Sequence, residues 1–246
     1  MPAPSVAPAR FSPRLVPTLT ALVGIVVLVL LGNWQLRRLA WKEDLIATTQ
    51  ARINAPVVPV PADPDADYAA LDYRHVTARG RYLGDRAFGF GFSAREDRGG
   101  GELVVPLRLD DGRTLLVDRG WVPSAMLPPA TPPELEQQGE VEVAGVARYR
   151  GDYQRPFFQP ADDPSRRRWF GWDLPTMAQA VGQPLLPIVL VAQGRPGDPP
   201  LPQPEPVSVD FPNDHLQYAL TWYGLAAALA VVYLVSSFRK PDGALP

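Results

Sequence analysis

Two long stretches without a formally charged residue, one near each end of the sequence, constrain this chain more than any other feature. The first covers residues 15–36 and the second residues 215–238. As a helix, each would be at least about 33 Å long, enough to cross the roughly 30 Å hydrocarbon core of a bilayer. Two buried helices of a soluble protein fit poorly, because nearly every residue from 23 to 31 is large and aliphatic. We therefore predict two transmembrane helices, at 15–36 and 215–238.

The first of these helices is predicted to be an uncleaved signal anchor, because no small-residue cleavage site follows its apolar core. Two spans place both tails, 1–14 and 239–246, on one side of the membrane and residues 37–214 on the other. The tails are net positive and the central segment is net negative, which favours cytoplasmic tails and an exterior central domain. Arg37 and Arg38 oppose this rule, since they place positive charge at the exterior end of the first helix.

The central domain, 37–214, has the sequence pattern of a β-rich fold. Two β-rich runs flank an Asp-Gly turn, which predicts a hairpin. The predicted strands are 73–82, 102–109, 113–119, 140–149 and 185–192, and a short helix is predicted at 175–181. The pattern does not fit a parallel α/β fold, because long helices between the strands are missing. We predict a membrane protein of the α+β class, in which two transmembrane helices flank an exterior antiparallel barrel or sandwich of about six or seven strands.

Glycine and proline residues add two local expectations for these strands. Gly99, Gly100 and Gly101 are interpreted as a loop between strands, because neither the lysine nor the helix of a phosphate-binding loop follows them. Pro106 removes one backbone donor, so its strand is expected to lie at a sheet edge or to be bulged there.

The composition excludes several kinds of chemistry. The chain has no cysteine and only two histidines, His75 and His215, so disulfides, thiolate metal sites, iron–sulfur clusters and cysteine nucleophiles are excluded. Lys+Arg number 24 and Asp+Glu 26, and this near balance gives no sign of a nucleic-acid partner. Walker-type loops, dinucleotide fingerprints, nucleophile elbows and H-E-x-x-H helices are missing. The sequence therefore carries none of these enzyme signatures.

The start of the second apolar stretch, NDHLQYALTWYG at 213–224, is rich in polar and aromatic residues. At 100° per residue, His215, Tyr218 and Trp222 lie on one helix face. One interpretation is an aromatic belt at the membrane surface, combined with hydrogen bonds between helices. The other is a cofactor site, in which His215 is an axial metal ligand and the two aromatic rings wall a flat cofactor.

Trp34 lies near the end of the first apolar stretch, and Arg37 and Arg38 follow it at the same predicted membrane surface. If His215 bound a haem, the two arginines would pair with the haem propionates. Otherwise they would anchor the chain to lipid phosphates.

In the central domain, the run RGWVP allows two interpretations. It is either a buried corner of the fold or a docking surface for a partner protein, because arginine and tryptophan are favoured interface anchors. The docking interpretation would use Arg119, Gly120, Trp121 and Pro123.

Four ordered motifs resemble those of one protein family. They are LGNWQLRRLAWKEDLI, YRHVTARGRYLG, DDGRTLLVDRGWVP and NDHLQYALTWYGLA, and together with the two apolar stretches they cover most of 30–238. This combination resembles the Surfeit-locus-protein-one family, whose members are assembly factors of haem–copper cytochrome c oxidase. The resemblance implies a non-enzymatic inner-membrane factor that helps to build subunit I of the oxidase, with haem a synthase as a second expected partner. The short N-terminus, which has no Arg-rich transit segment, favours a bacterial member with a periplasmic central domain.

The resemblance also implies a cofactor, haem a, with His215 as the ligand of its iron. We therefore expect the chain to bind haem a transiently and to assist its placement into subunit I. His75 stands where the family usually has a basic residue, and it is given no cofactor role. A cofactor-free scaffold that stabilises an oxidase assembly intermediate is the alternative. Copper delivery is disfavoured, because besides Met1 only Met126 and Met177 offer sulfur.

Overall fold

The chain divides into two units, which we call the helical unit and the β domain. The helical unit comprises Met1–Ala47 and Asp210–Pro246, and the β domain comprises Thr48–Val209. The computed structural model describes residues 10–63, 65–95, 97–129, 132, 135, 137–208 and 211–239. Most of each predicted tail, 1–14 and 239–246, therefore lies outside the described residues.

Within these residues the α-helices are α1 Leu15–Ile53, α2 Leu174–Val181 and α3 His215–Ser237. The β-strands are β1 Arg10–Phe11, β2 Val58–Pro59, β3 His75–Tyr82, β4 Phe88–Arg95, β5 Arg98–Leu109, β6 Thr114–Pro123, β7 Glu140–Tyr149, β8 Arg168–Trp169, β9 Leu185–Ala192 and β10 Phe238–Arg239. Short 3-10 helices lie at Tyr68–Leu71, Gly84–Arg86, Ser124–Met126 and Pro164–Arg166.

The helical unit is built from α1 and α3, which pack antiparallel along one stripe of each helix. Near one end of the stripe, Thr18 Oγ1 and Tyr233 Oη are 2.7 Å apart, and near the other end Gln35 Oε1 and His215 Nδ1 are 2.7 Å apart. The buried and half-buried positions of α1 include a series with a spacing of three or four residues, at 18, 21, 25, 28, 32 and 35. This spacing is typical of helices that cross at a shallow angle of about 20°.

Small residues allow the two helices to approach closely. A Cβ atom on Gly32 would lie 2.6 Å from the ring of Tyr223, so no larger residue fits there without movement. The same tyrosine donates a 2.7 Å hydrogen bond from its hydroxyl to Asn33 Oδ1, and Ala219 and Ala226 are buried on the facing helix. Small residues and polar bridges are the usual means by which membrane helices associate. Both α1 and α3 are long and apolar enough to cross a membrane.

Helix α1 continues well past residue 36, where the predicted span ends, and reaches Ile53. No proline or glycine occurs from Asn33 to Ala55, and this segment is rich in Leu, Ala, Lys, Glu, Gln and Arg, which favour the helix. Charged side chains end the apolar stretch but do not end the helix. The central segment 37–214 therefore begins with helix rather than with β structure.

Five strands of the β domain close into a barrel. β3 pairs with β7 on one side and with β5 on the other, and the ring continues through β9 and β6. All neighbouring pairs in the ring are antiparallel except β6 and β9, which run parallel. β2, β4 and β8 extend the sheet outside the ring. Closure pairs the edges that an open sheet of this size would leave exposed.

Successive residues of β6 point into two different cores, as expected for a strand that is buried on both faces. Leu115 and Val117 point into the barrel, where they are fully buried. Leu116 points outward and packs with Met177 of α2 and Trp169 of β8. Because each fully buried side chain of this size contributes about 1.5–3 kcal/mol, α2 and β8 are held mainly by this outer core.

Most of the predicted β elements are confirmed. The hairpin is formed by β5 and β6, and Gly112 in its turn has φ +86. The predicted strands 140–149 and 185–192 coincide with β7 and β9. The predicted helix is α2, which is capped by the side chain of Asp173 at its start and ends at Gly182, with φ +73. Strand β4, with the sequence FGFGFSAR, is absent from the prediction.

The expectation of a loop at the three consecutive glycines was wrong, because they lie within β5. Gly100 and Gly101 pair with the end of β6. A Cβ atom on Gly100 would lie 2.4 Å from the indole ring of Trp121. The absence of side chains here makes room for a buried tryptophan.

Pro106 is neither on a free edge nor in a bulge. Strand β5 pairs with β4 up to Val104 and with β3 from Leu107, so Pro106 lies where one neighbour replaces the other. Its carbonyl accepts a 2.8 Å hydrogen bond from the backbone N–H of Leu83. The missing donor therefore falls where no neighbouring strand requires it.

The segment after β9 is tied to β6 at Gly120. Trp121 and Gln203 exchange two backbone hydrogen bonds of 2.8 Å each. Gly120 has φ +109, and a Cβ atom on it would lie 2.3 Å from the carbonyl oxygen of Gln203. Both the backbone conformation and the close contact require glycine at this position.

We expect Gly120→Ala to lower the free energy of unfolding of the β domain by more than about 3 kcal/mol, because the energetic cost of backbone strain and that of overpacking add up. Gly91→Ala is the matched control, since Gly91 has φ +63 and nothing within 4 Å of its Cβ position. It should cost only about 1–2 kcal/mol. Urea unfolding of the full chain in detergent, followed by tryptophan fluorescence, measures both values. Equal losses in the two variants would contradict the role given to the Gln203 contact.

Candidate functional site

A hydrogen bond between His215 and Gln35 lies in the seam between α3 and α1. His215 is half-buried as the first residue of α3, and Gln35 is 8% exposed. His215 Nδ1 lies 2.7 Å from Gln35 Oε1. Because a carbonyl oxygen only accepts hydrogen bonds, Nδ1 carries the proton and the lone pair is on Nε2. Histidines that bind metals are usually oriented in this way, by donation from the other ring nitrogen.

The two aromatic residues predicted beside His215 lie in different surroundings. Trp222 is half-buried on the same side of α3 as His215 and Ala219, the side that faces α1. Tyr218 lies outside this stripe and is 55% exposed. The structure therefore brings Trp222 and His215 together on the seam and places Tyr218 at its border.

The three predicted site residues of α1 are exposed. Trp34 is 51% exposed, and the guanidinium of Arg38 stacks over the ring of Trp41 at 3.9 Å. Arg38 lies about 60° around the helix from Gln35, whereas Arg37 lies about 200° away, on the opposite side. Trp34 and Arg38 thus lie nearer to the His215–Gln35 pair than Arg37 does.

Gln35 is the residue of this site to which the sequence interpretation gave no role. The available signal was its position, because it continues the three-and-four spacing of the buried positions 28 and 32. A buried amide in an apolar stretch is costly unless it finds a partner, which is a reason to search for one on the other helix.

In the described part of the chain, His215 does not belong to a cluster of protein ligands for a metal ion. Among the residues that the structure describes, no group of three or more His, Cys, Asp and Glu side chains could hold a metal. A metal bound through Nε2 of His215 would therefore have to bring its other ligands with it, as the iron of a porphyrin does.

The RGWVP run forms a corner inside the β domain. Trp121 is 2% exposed, and its Nε1–H donates to the carbonyl of Ser93 at 3.4 Å. Arg119 is half-buried and donates from Nη1 to the carbonyl oxygen of Leu135. The buried-corner interpretation accounts for these contacts. A docking role for Arg119, Gly120, Trp121 and Pro123 stays a prediction.

Two carboxyl groups beside this corner have raised pKa values. Burial raises the pKa of Glu102 to about 7, and the nearby charge of Asp118 raises it further, whereas Arg95 opposes the change. Burial also raises the pKa of Asp118 to about 6, although its Oδ1 accepts a hydrogen bond from Gly120 N. Within the described part of the chain, Glu102 Oε2 is buried without a hydrogen-bond partner. Both carboxyl groups therefore change protonation close to neutral pH.

Comparison with known proteins points to one family. A sequence profile of the SURF1 family matches residues 22–227. Surfeit locus protein 1 of Xenopus tropicalis is 34% identical over 226 residues, covering 85% of this chain and 72% of that protein. Its Homo sapiens counterpart is 34% identical over 229 residues, covering 87% and 75%. A SURF1-like protein of Drosophila melanogaster is 34% identical over 224 residues, covering 82% and 71%. Gln35 and His215 both lie within the matched residues 22–227.

We expect the β domain to lose stability as the pH rises from about 4.5 to about 7. The pKa of Glu102 is higher in the folded protein than its ordinary value of 4.5, so folding takes up a proton in this range. Glu102→Gln should raise the free energy of unfolding at pH 8 by on the order of 1 kcal/mol, a figure reduced for partial solvent exposure, and should change it little at pH 5.

Urea unfolding of the full chain at pH 5 and pH 8 measures this effect. Glu140→Gln is the control, because Glu140 is exposed and its carboxylate lies 3.5 Å from Arg81. It should leave the pH dependence unchanged. The assignment fails if the wild-type protein is equally stable at both pH values.

Proposed function

Because this chain belongs to the SURF1 family, whose members are cytochrome c oxidase assembly factors, we propose that it binds haem a and assists the placement of haem a into subunit I of the oxidase. The observation that carries this proposal is the hydrogen bond from His215 Nδ1 to Gln35 Oε1. It leaves Nε2 as the free donor atom, oriented by a buried partner on the other helix. Haem a is cargo in this function rather than a resident cofactor.

The donor set at His215 fits a loosely held porphyrin. A single imidazole supplies one axial bond, so the second axial position would stay open or be taken by the acceptor protein. One axial bond is weaker than two, which suits a protein that releases its cargo. A metal site made only of protein ligands would need several donors, and the described residues do not form such a group with His215.

The surroundings of this histidine suit an amphipathic ring. Trp34 on α1 and Tyr218 on α3 present exposed aromatic rings close in sequence to Gln35 and His215, and Trp222 lies in the seam. Arginine binds carboxylates well, so Arg38, and with a longer reach Arg37, would pair with the propionates. The apolar remainder of each helix suits the hydrocarbon tail of haem a.

The same proposal extends to location and partners. The apolar helices lie in the bacterial inner membrane, the β domain lies in the periplasm and both tails are cytoplasmic. The net positive charge of the tails and the net negative charge of residues 37–214 support this orientation. Haem a synthase is the expected supplier of the cargo and subunit I its acceptor.

A cofactor-free scaffold is the second candidate function. It would stabilise an oxidase assembly intermediate through surfaces of the β domain. The observation in its favour is a pair of neighbouring aromatic side chains, Phe157 and Phe158, which are 93% and 92% exposed. Large apolar side chains exposed to this degree are common at protein-binding surfaces.

The haem proposal predicts that His215→Ala abolishes haem a binding. The full chain and its variants would be co-expressed with the enzymes of haem a synthesis, purified, and compared by optical spectra and pyridine haemochrome assay. His75→Ala is the matched control, because it removes the other histidine of the chain, and it should keep wild-type haem content. Equal haem in His215→Ala and wild type would exclude His215 as the ligand.

Gln35 provides an independent test of the geometry. Gln35→Leu should weaken haem binding by about 10- to 100-fold, because the ring loses the partner that orients it. Gln35→Glu keeps an acceptor and should retain most of the haem. If the wild-type protein carries no haem and still co-purifies with subunit I, the scaffold function replaces the haem proposal.

A further inference from the structure

The β domain contains a cleft to which the proposed function gives no role. Its volume is about 330 Å³, within the range of small-ligand sites. The ends of β3, β7 and β9 form one side, and the segment from Gln193 to Pro204 forms the other. Gln203 fixes this segment, through its two backbone hydrogen bonds to Trp121 of β6.

Two guanidinium groups line the cleft. Arg119 lies with its Cζ 5.2 Å from the centre of the Tyr82 ring, and its Nη1 donates to the carbonyl of Leu135. Arg195 donates from Nη2 to the carbonyl of Glu142 at 2.9 Å. Among the residues that the structure describes, neither arginine forms an ion pair with a carboxylate.

The carboxylates that line the same cleft are used elsewhere. Glu142 Oε2 lies 3.2 Å from Nη2 of Arg79, which is on the outer side of β3. Asp198 Oδ2 accepts a 2.6 Å hydrogen bond from the backbone N–H of Arg195. Two guanidinium groups thus line the cleft, while the Glu142 carboxylate is paired with Arg79 and the Asp198 carboxylate accepts from a backbone N–H rather than from a guanidinium.

Tyr82 does not cancel this charge. Burial raises the pKa of its hydroxyl to about 12, and the nearby Arg119 and Arg195 only partly oppose the rise. The phenol therefore stays neutral. Burial lowers the pKa of Arg119, but a guanidinium remains charged in proteins. Since a half-buried charge is costly unless it is paired, this arginine lacks a counter-charge that a ligand could supply.

The cleft also has an apolar part. Leu201, Pro202 and Val143 contribute hydrocarbon surface beside the two guanidinium groups. A ligand that fits this arrangement has an anionic group at one end and a small apolar body at the other. Arginine is the side chain best suited to two-point hydrogen bonding with carboxylate and phosphate.

We propose that the cleft between Arg119 and Arg195 binds the carboxylate or phosphate group of a small amphipathic molecule. The Tyr82 ring packs against the guanidinium of Arg119, and the segment from Gln193 to Pro204 covers the ligand's apolar part. The Gly120–Gln203 contact holds this segment in place, which gives the RGWVP run a role in shaping a binding site. The residues that line this cleft belong to the β domain, whereas His215 belongs to the helical unit.

The test uses the full chain in a non-ionic detergent and isothermal titration with three probes. Inorganic phosphate, butyrate and dihexanoyl phosphatidylglycerol separate a free phosphate, a carboxylate and a lipid headgroup as sources of the anion. We expect saturable binding of at least one probe. Arg119→Met and Arg195→Met should each weaken it by at least about tenfold, because both remove charge-assisted hydrogen bonds.

Three further variants make the result specific. Arg81→Met is the matched control, since Arg81 precedes Tyr82 in β3, is exposed and lies outside the cleft; its affinity should be that of wild type. Arg119→Lys should keep part of the binding, which separates loss of charge from loss of packing. His215→Ala should bind the probes with wild-type affinity. The anion site and the haem proposal are therefore tested independently, and either can be disproved while the other holds. Absence of saturable binding of all three probes, or equal binding by wild type and Arg119→Met, would overturn the assignment.

Discussion

The need to pair every polar group that folding removes from water governs both units of this protein. In the helical unit, three hydrogen bonds join polar side chains that lie at intervals along two otherwise apolar helices. In the β domain, β3 pairs on both sides and so closes the sheet, which leaves few backbone groups unpaired at its edges. The segment that follows β9 is held by the same principle, through its pairing with Trp121. Apolar burial supplies most of the stability, but these pairings decide which arrangement forms.

The groups that depart from this rule are the ones to which chemistry can be assigned. His215 has one ring nitrogen satisfied by Gln35 and the other available. Arg119 is half-buried with a carbonyl and an aromatic ring as neighbours, but no carboxylate among the described residues. Glu102 is kept from its usual charge state by its surroundings. A polar group without its natural partner is costly, so such groups are expected where a ligand or a proton completes the site.

The sequence predicted the elements that short-range signals determine. The Asp-Gly turn and the alternating residues around it specified the β5–β6 hairpin, and Asp173 and Gly182 marked the ends of α2. β4 and the start of β5 were missed because their glycines carry no strand signal. For Gly100 the reason lies far away in the sequence, in the ring of Trp121 that takes up the space of its side chain. α1 extends beyond the span predicted at 15–36, because the residues that follow lose hydrophobicity but keep a high helix propensity. In the candidate site His215 stood out by its residue type, whereas Gln35 carried only the weaker signal of its spacing and gained a role once its partner on the other helix was known.

The seam between α1 and α3 joins the first and the last helix of the described residues, and this has a consequence for biosynthesis. Gln35 and His215 are 180 positions apart in the sequence, and nearly all the intervening residues belong to the β domain. Since chains fold domain by domain as they emerge from the ribosome, α1 waits without its partner while the β domain is made. The imidazole and its orienting amide meet only after the β domain has been synthesised. Under the proposed function, the haem ligand is therefore completed later than the β domain.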